Sequence, residues 1–118
     1  MSQHHPDEPV YANELNDKFV KKALEVVYRN MSNTEFGKDE FASEMNVSPS
    51  LLYQKLKGLT GQSPVEFIRT IRFNHAMELL QSKKYSITEI GEMCGFSSPS
   101  YFSTAFRKHF GKSPAEWQ

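Results

Sequence analysis

The stretch SPSLLYQKLKGLTGQSP, residues 48–64, recurs as SPSYFSTAFRKHFGKSP, residues 98–114. Both copies begin with Ser-Pro-Ser and end with Gly-x-Ser-Pro, whereas the interior keeps only its chemical character, so that Leu52 corresponds to Phe102. Serine followed by proline is a preferred start of a helix, and glycine is a preferred end. Each copy therefore predicts one helix with an apolar side and a polar side.

A second repeated feature precedes each copy. FASEMNVS, residues 41–48, aligns with IGEMCGFS, residues 90–97. Asn46 and Gly95 occupy the same place, and these two residue types most easily adopt the left-handed backbone conformation that ends a helix sharply. A helix, a tight turn and a capped second helix make a helix-turn-helix. The chain therefore predicts two such units, at about residues 38–61 and 86–111.

The remaining helix starts carry their own signals. Ser-x-x-Glu capping boxes lie at residues 63–66, 86–89 and 113–116. An amphipathic helix is expected from Asp17, with its apolar stripe formed by Val20, Leu24, Val27, Tyr28 and Met31. The apolar stripe of the linker helix at 64–81 is too wide for one buried side, which predicts that this helix joins the two units. The expected fold is all-α, with seven helices and two helix-turn-helix units joined by a long central helix.

Composition and charge narrow the class of protein. The 118 residues carry no net charge, but residues 1–16 hold acids without Lys or Arg, and residues 48–118 hold nine basic and five acidic side chains. We therefore expect a flexible acidic tail or linker over 1–16 and a mildly basic domain over 17–117. Because the lone Cys94 has no disulfide partner and no apolar run reaches membrane-spanning length, a cytoplasmic protein is expected. Neither an enzyme nor a cofactor or metal site is expected, since no motif for one is present.

The second helix of a helix-turn-helix presents its outer face to the DNA major groove. The residues predicted on that face are Ser48, Ser50, Tyr53, Gln54 and Lys57 in the first unit, and Ser98, Ser100, Ser103, Thr104, Arg107 and Lys108 in the second. Hydroxyl, amide and cationic groups can bind base edges or phosphates. The alternative is that they are ordinary solvated side chains. Their repetition in register behind the same turn favours DNA.

These motifs resemble a known family. The segments SPSLLYQKLKGLTGQSPVEFIRTIRFNHAMELL, residues 48–80, and ITEIGEMCGFSSPSYFSTAFRKHFGKSPAEW, residues 87–117, look like the DNA-binding domain of AraC/XylS-type transcription regulators. The likeness covers residues 17–117 and is greatest to the C-terminal output domains of hybrid two-component regulators. It implies sequence-specific binding of double-stranded DNA in transcription regulation. Ser50 and Thr104 are shorter than the residues many members carry there, so water-mediated contacts are an alternative at both positions.

The resemblance also implies partners. Double-stranded DNA is the first, with two recognition helices roughly 34 Å apart in successive major grooves of an asymmetric site. RNA polymerase and a receiver or sensor domain of a larger parent protein are further candidates, and dimerisation of the parent is left open. A helical protein-interaction module that has lost DNA binding is the alternative function. For Arg72 we weigh a phosphate contact against a structural bond to a buried acid or carbonyl, and we expect the second.

Overall fold

A computed structural model describes residues 10–118 of the chain. Its helices are α1 (Val10–Arg29), α2 (Lys38–Glu44), α3 (Pro49–Thr60), α4 (Pro64–Ser82), α5 (Ile87–Met93), α6 (Pro99–Phe110) and a C-terminal 3-10 helix (Pro114–Trp117). The described residues contain no strand. The prediction of seven helices and an all-α fold is thus confirmed.

The start of α1 differs from the expected boundary. This helix begins at Val10, so residues 10–16, which we expected in a flexible tail, are helical. Residues 1–9 of that expected tail lie outside the described residues. The sequence pattern missed the extension because the segment carries no apolar period of its own, and helix geometry propagates beyond a packed segment at little cost.

Local capping signals fix the ends of the repeated helices. The hydroxyl oxygens of Ser48 and Ser98 each accept a hydrogen bond of 3.1 Å from a backbone N–H of the first turn. Both helices stop at a glycine in the left-handed conformation, Gly61 with φ 78° and Gly111 with φ 84°. The helix boundaries therefore follow from residues within the repeat itself.

Helix α4 connects two hydrophobic clusters. Its first half contributes Phe67, Ile68 and Ile71 to a cluster formed with α1, α2 and α3. Its second half, including Phe73 and Leu80, packs in a cluster formed with α5 and α6. A helix that serves two cores needs apolar residues on more than one side, which confirms the reading of its wide stripe.

The packed face of α1 is rotated from the predicted stripe. Ala23, Val26 and Val27 are buried, whereas Leu24 and Tyr28 are 37% and 47% exposed. The Tyr28 ring instead meets the His75 ring edge-on, with 5.9 Å between the ring centroids. The small Ala23 side chain, fully buried, allows close packing of α1, which an apolarity count does not register.

The two helix-turn-helix turns have matching geometry. Asn46 and Gly95 both have positive φ, 60° and 82° respectively. After each of them the next residue donates a backbone hydrogen bond back across the turn, 3.1 Å to Ala42 and 2.9 Å to Gly91. A Cβ on Gly91 would lie 3.0 Å from the Phe102 ring, so a small residue is needed where the following helix crosses. Both predicted turns are confirmed.

Candidate nucleic-acid interface

The predicted face of α3 points to solvent. Ser48, Ser50, Tyr53, Gln54 and Lys57 are all exposed. On the opposite side of the same helix, Leu52 and Leu56 are fully buried. Leu59, the next leucine of α3 toward its end, is 38% exposed. It follows Leu56 by three residues near the helix end, beyond the reach of the first cluster.

The predicted face of α6 is exposed with one exception. Ser98, Ser100, Thr104, Arg107 and Lys108 are exposed, and Ser103 is half-buried. The buried side is formed by Phe102 and Phe106, which are 1% and 0% exposed. Ser103 thus sits at the edge of the face, where a base contact is less accessible than at its neighbours.

Ser48 and Ser98 are exposed, and each also caps its helix. Each uses a hydroxyl oxygen lone pair to cap its helix. The hydroxyl hydrogen of Ser48 or Ser98 can still donate, because a serine side chain is both donor and acceptor. These two residues can therefore meet a phosphate oxygen without losing the cap.

Three neighbouring clefts join the two exposed helix faces. The first, about 500 Å³, is lined by the outward side of α3 and ends at Val65 of α4. The second, about 180 Å³, continues from Val65 past Arg69 to Tyr101. The third, about 510 Å³, runs from Arg69 and Tyr101 to Thr104 and Lys108 of α6. Because the first and second clefts share Val65, and the second and third share Arg69 and Tyr101, we treat the three together and call them the furrow, which links the outward faces of α3 and α6.

Sequence reasoning missed Tyr101 as part of this surface. The residue is 56% exposed and lines the two clefts nearest α6. The equivalent residue in the first copy of the repeat is Leu51, so comparison of the two copies does not point to Tyr101. The available signal was an aromatic ring with a hydroxyl directly after Ser100, since a ring that is apolar at one end and polar at the other suits an interface.

Positive charge on the two faces is moderated by nearby acids. Lys57 Nζ lies 3.9 Å from Glu66 Oε1, and both side chains are about half exposed. The pKa of Glu66 is lowered chiefly because the carboxylate accepts hydrogen bonds from Ser63, with Lys57 adding a smaller effect. An exposed pair of this length contributes little stability. Lys57 therefore remains free to exchange Glu66 for a phosphate.

The basic end of α6 lies beside the C-terminal 3-10 helix. Arg107, Lys108 and His109 fill its last turn, where cations interact favourably with the helix dipole. The pKa of Glu116 is lowered, first by its hydrogen bonds to Ser113 and then by the charges of Arg107 and Lys112. Lys108 and His109 are both exposed and line the furrow, whereas Arg107 does not line it.

Other candidate chemistry is confined to the core. Cys94 is fully buried, and burial raises the pKa of its thiol to about 12. Over residues 10–118 no group of three potential metal ligands comes together. None of the described helices is both long and apolar enough to cross a membrane.

The fold and its exposed faces define a class: a helix-turn-helix protein that binds DNA and regulates transcription. A family model described as a Helix-turn-helix domain matches residues 41–118. The chain belongs to the AraC-type family of DNA-binding domains.

Three proteins illustrate the likeness. Histidine kinase P4 of Formosa agariphila is 38% identical over 104 residues, which is 88% of this chain. A transcriptional regulator of the AraC-type DNA-binding domain-containing proteins from Chromobacterium violaceum is 32% identical, with a TM-score of 0.75 over 86% of this chain and 89% of that one. The DNA-binding domain of AdpA, a global transcriptional factor, in complex with a target DNA, is 27% identical, with a TM-score of 0.74 over 82% of this chain and 86% of that one. The chain spans 8% of the length of the kinase and 29–32% of other curated relatives.

Proposed function

We propose that this chain reads an asymmetric duplex site, with α3 in one major groove and α6 in the next. The observation that carries the proposal is the furrow, which joins the polar sides of two equivalently capped helices on one side of the molecule. Successive major grooves on one side of B-DNA are roughly 34 Å apart. The longest dimension of the described residues is 49 Å, which is sufficient to span that distance. One molecule would then read about two turns without a partner copy.

Base reading falls to the longer polar side chains of each face. Gln54 has the amide geometry that suits adenine, and Arg107 has the donor pair that suits guanine. Both are exposed on the outward side of their helices. Ser50 and Thr104, which are shorter, are suited to water-mediated contacts. The half-buried Ser103 and the two capping serines are better suited to contact the DNA backbone than to contact base edges.

Phosphate binding falls to the exposed cations. The candidates are Lys57, Arg69, Arg107, Lys108 and Lys112. Lys55 is a weaker candidate because its Nζ lies 4.8 Å from the centroid of the Phe19 ring and is engaged there. If the four lysines and arginines other than Arg107 each neutralise one phosphate, the logarithm of the affinity falls with the logarithm of the salt concentration at a slope of about −3.6, and a phosphate contact from Arg107 would bring the slope to about −4.5.

We propose further that the domain is the output part of a larger signal-responsive regulator. The support is the kinase relative, of which this chain spans 8%. A receiver or sensor domain, RNA polymerase and a second copy of the parent are the partners this role would bring.

Selection of duplex DNA from a random library at two salt concentrations tests the reading function. Enrichment of one asymmetric motif, with two half-sites about one helical turn apart, supports it. Salt-sensitive retention without a motif would contradict reading by one molecule and leave a non-specific binder. No retention at either salt would favour the alternative, a helical protein-interaction module.

Three substitutions assign the roles within the motif. Gln54→Ala and Arg107→Ala are each expected to cost about 1–3 kcal/mol and to relax the preference at one half-site only. Lys108→Ala should weaken binding evenly across sequences and reduce the salt slope by about 1. Lys22→Ala, an exposed cation on α1 away from the furrow, is the matched control. Equal effects at both half-sites for Gln54→Ala would refute the assignment of α3 to one groove.

A further inference from the structure

The two halves of the molecule meet at Arg72, in the middle of α4. Ile71 packs in the first hydrophobic cluster and Phe73 in the second. Arg72 therefore lies where the helix passes from one core to the other. Its side chain is half-buried, an unusual place for a guanidinium that stays charged. A half-buried charged group of this kind is expected to be held in place by specific contacts.

The Arg72 guanidinium bridges the first half and the second. Its Nη2 donates a 2.7 Å hydrogen bond to the carbonyl oxygen of Asn33, in the loop between α1 and α2. On its other side it lies against Gly95, the turn residue of the second unit. A Cβ on Gly95 would be 2.9 Å from Cζ and 3.0 Å from Nη2 of Arg72. Nε is buried with no hydrogen-bond partner among the described residues, so Asn33 and the packing on Gly95 hold the group.

The turn at Gly95 is coupled directly to recognition helix α6. Phe96, the next residue, packs on Phe102 with 4.8 Å between ring centroids. It also packs on Phe73 of α4, at 5.4 Å. A shift of the turn therefore carries α6 with it, because these rings are close-packed.

We infer that Arg72 is a positioning residue, which fixes the second helix-turn-helix unit against the first and so sets the half-site spacing that the protein accepts. This inference rests on the proposed two-groove reading. A cleft of about 180 Å³, lined by Arg72 and Gly95 among others, opens beside this junction. The hydrogen bond to Asn33 and the contact with Gly95 are the contacts that Arg72 adds at this junction, beside the Met31 carbonyl, which also faces Gly95.

A direct phosphate contact is the competing role, and Arg69 provides the matched comparison. Both arginines line the furrow, but Arg69, one turn earlier on α4, is exposed, whereas the half-buried Arg72 directs its Nη2 to Asn33. Arg69→Met and Arg72→Met remove the same charge from the same helix. They are expected to differ in which property of DNA binding they change.

The test measures affinity for duplexes in which the two selected half-sites are separated by the preferred spacer or by one or two base pairs more or fewer. Single half-sites are measured beside them. Linked binding of two modules gains about 10²- to 10⁴-fold over one. In Arg72→Met we expect about a tenfold loss at the preferred spacer, a flatter spacer profile and single half-site affinities within about twofold of wild type. Arg69→Met should lower affinity by the same factor at every spacer.

A second measurement judges Arg72 without DNA. Spin labels on cysteines introduced at exposed Ser43 of α2 and Glu92 of α5 report the distance between the units, with native Cys94 shielded in the core. Wild type should give a narrow distance distribution and Arg72→Met a broader one. Arg72→Lys keeps the charge and a nitrogen that can donate to Asn33, but it lacks the planar group that packs on Gly95, so an intermediate width is expected.

Some outcomes would overturn the inference. An unchanged spacer profile with an unchanged distance distribution in Arg72→Met does so, and so does an even loss across spacers like that of Arg69→Met. If Arg72→Met fails to fold, Arg72→Lys takes its place, and wild-type behaviour there counts against the role. Absence of any spacer preference in wild type would overturn the two-groove reading instead, while the label distances still judge Arg72 separately.

Discussion

Replacing glycine by alanine at position 95 is expected to destabilise the domain much more than Asn46→Ala, although the two positions are equivalent in the repeat. Both residues have positive φ, 82° at Gly95 and 60° at Asn46. Asn46 is exposed, whereas Gly95 is buried between the two halves. The local backbone cost is thus shared, and the surroundings differ.

The magnitudes follow from these surroundings. Alanine in the left-handed conformation costs about 1–2 kcal/mol relative to glycine. Asparagine already bears part of that cost, so Asn46→Ala should lose about 1 kcal/mol. At Gly95 an added Cβ would also overlap the carbonyl oxygen of Met31 and press on Arg72. Overpacking of this kind costs about 1–3 kcal/mol, which brings Gly95→Ala to about 2–5 kcal/mol in total.

Urea unfolding followed by circular dichroism measures both costs, with Asn46→Gly as the control that should be near neutral or slightly stabilising. A loss of 2–5 kcal/mol would be a large part of the stability of a domain of this size, about 5–15 kcal/mol. If Gly95→Ala and Asn46→Ala differ by less than about 0.5 kcal/mol, the close approach of Gly95 to Met31 and Arg72 imposes no constraint. The reasoning that makes the two turns unequal would then be refuted.

Three further predictions concern the caps and the core. The pKa of Glu89 lies below its usual 4.5 because its carboxylate accepts hydrogen bonds from Ser86. The stability that this capping box contributes is therefore fully present above pH 4.5 and is lost as the pH falls through the lower pKa of the folded state. Glu89→Gln should flatten the acid side of a plot of the unfolding midpoint against pH. Because burial raises the pKa of Cys94 to about 12, a thiol reagent at pH 8 should label the native protein no faster than it unfolds, and rapid native labelling would contradict the burial. Phe106→Ala, at a fully buried ring, should cost about 3–5 kcal/mol in urea unfolding, whereas exposed Tyr101→Ala should cost less than about 1 kcal/mol.

Local signals made much of the fold predictable. Ser48 and Ser98 start their helices, and Gly61 and Gly111 end theirs, because each acts through its own backbone neighbours. The left-handed turn residues were predictable for the same reason. Nothing in these features depends on which surface the helix meets later.

Features that depend on tertiary packing were less accessible. The stripe predicted on α1 included Leu24 and Tyr28, both of which are exposed, and omitted the fully buried Ala23. Helical periodicity tolerates a rotation of one position, and the choice is made by the shape of the opposing surface. The same limit applies at Leu59, where an apolar residue at the right spacing extends past the end of its cluster.

The site divides in the same way. The outward residues of α3 and α6 could be assigned from their spacing to Leu52 and Phe102, which are buried. The furrow that links the two faces could not be predicted. Its three clefts are connected through Val65 and Arg69, which lie on α4 and not on α3 or α6.

The two helix-turn-helix units share one sequence pattern, but their turn residues have different surroundings. Asn46 acts locally, since its own side chain is exposed while it ends α2 with a positive φ. Gly95 also ends its helix with a positive φ, and in addition it makes a tertiary contact. Because it has no side chain, the turn can pack against the Met31 carbonyl and the Arg72 guanidinium. A side chain at 95 would push the second unit away from the first, whereas one at 46 projects outward. The glycine that allows α5 to end sharply is thus also the residue that lets the second unit pack closely on the first, and substitutions at positions 46 and 95 separate these two roles.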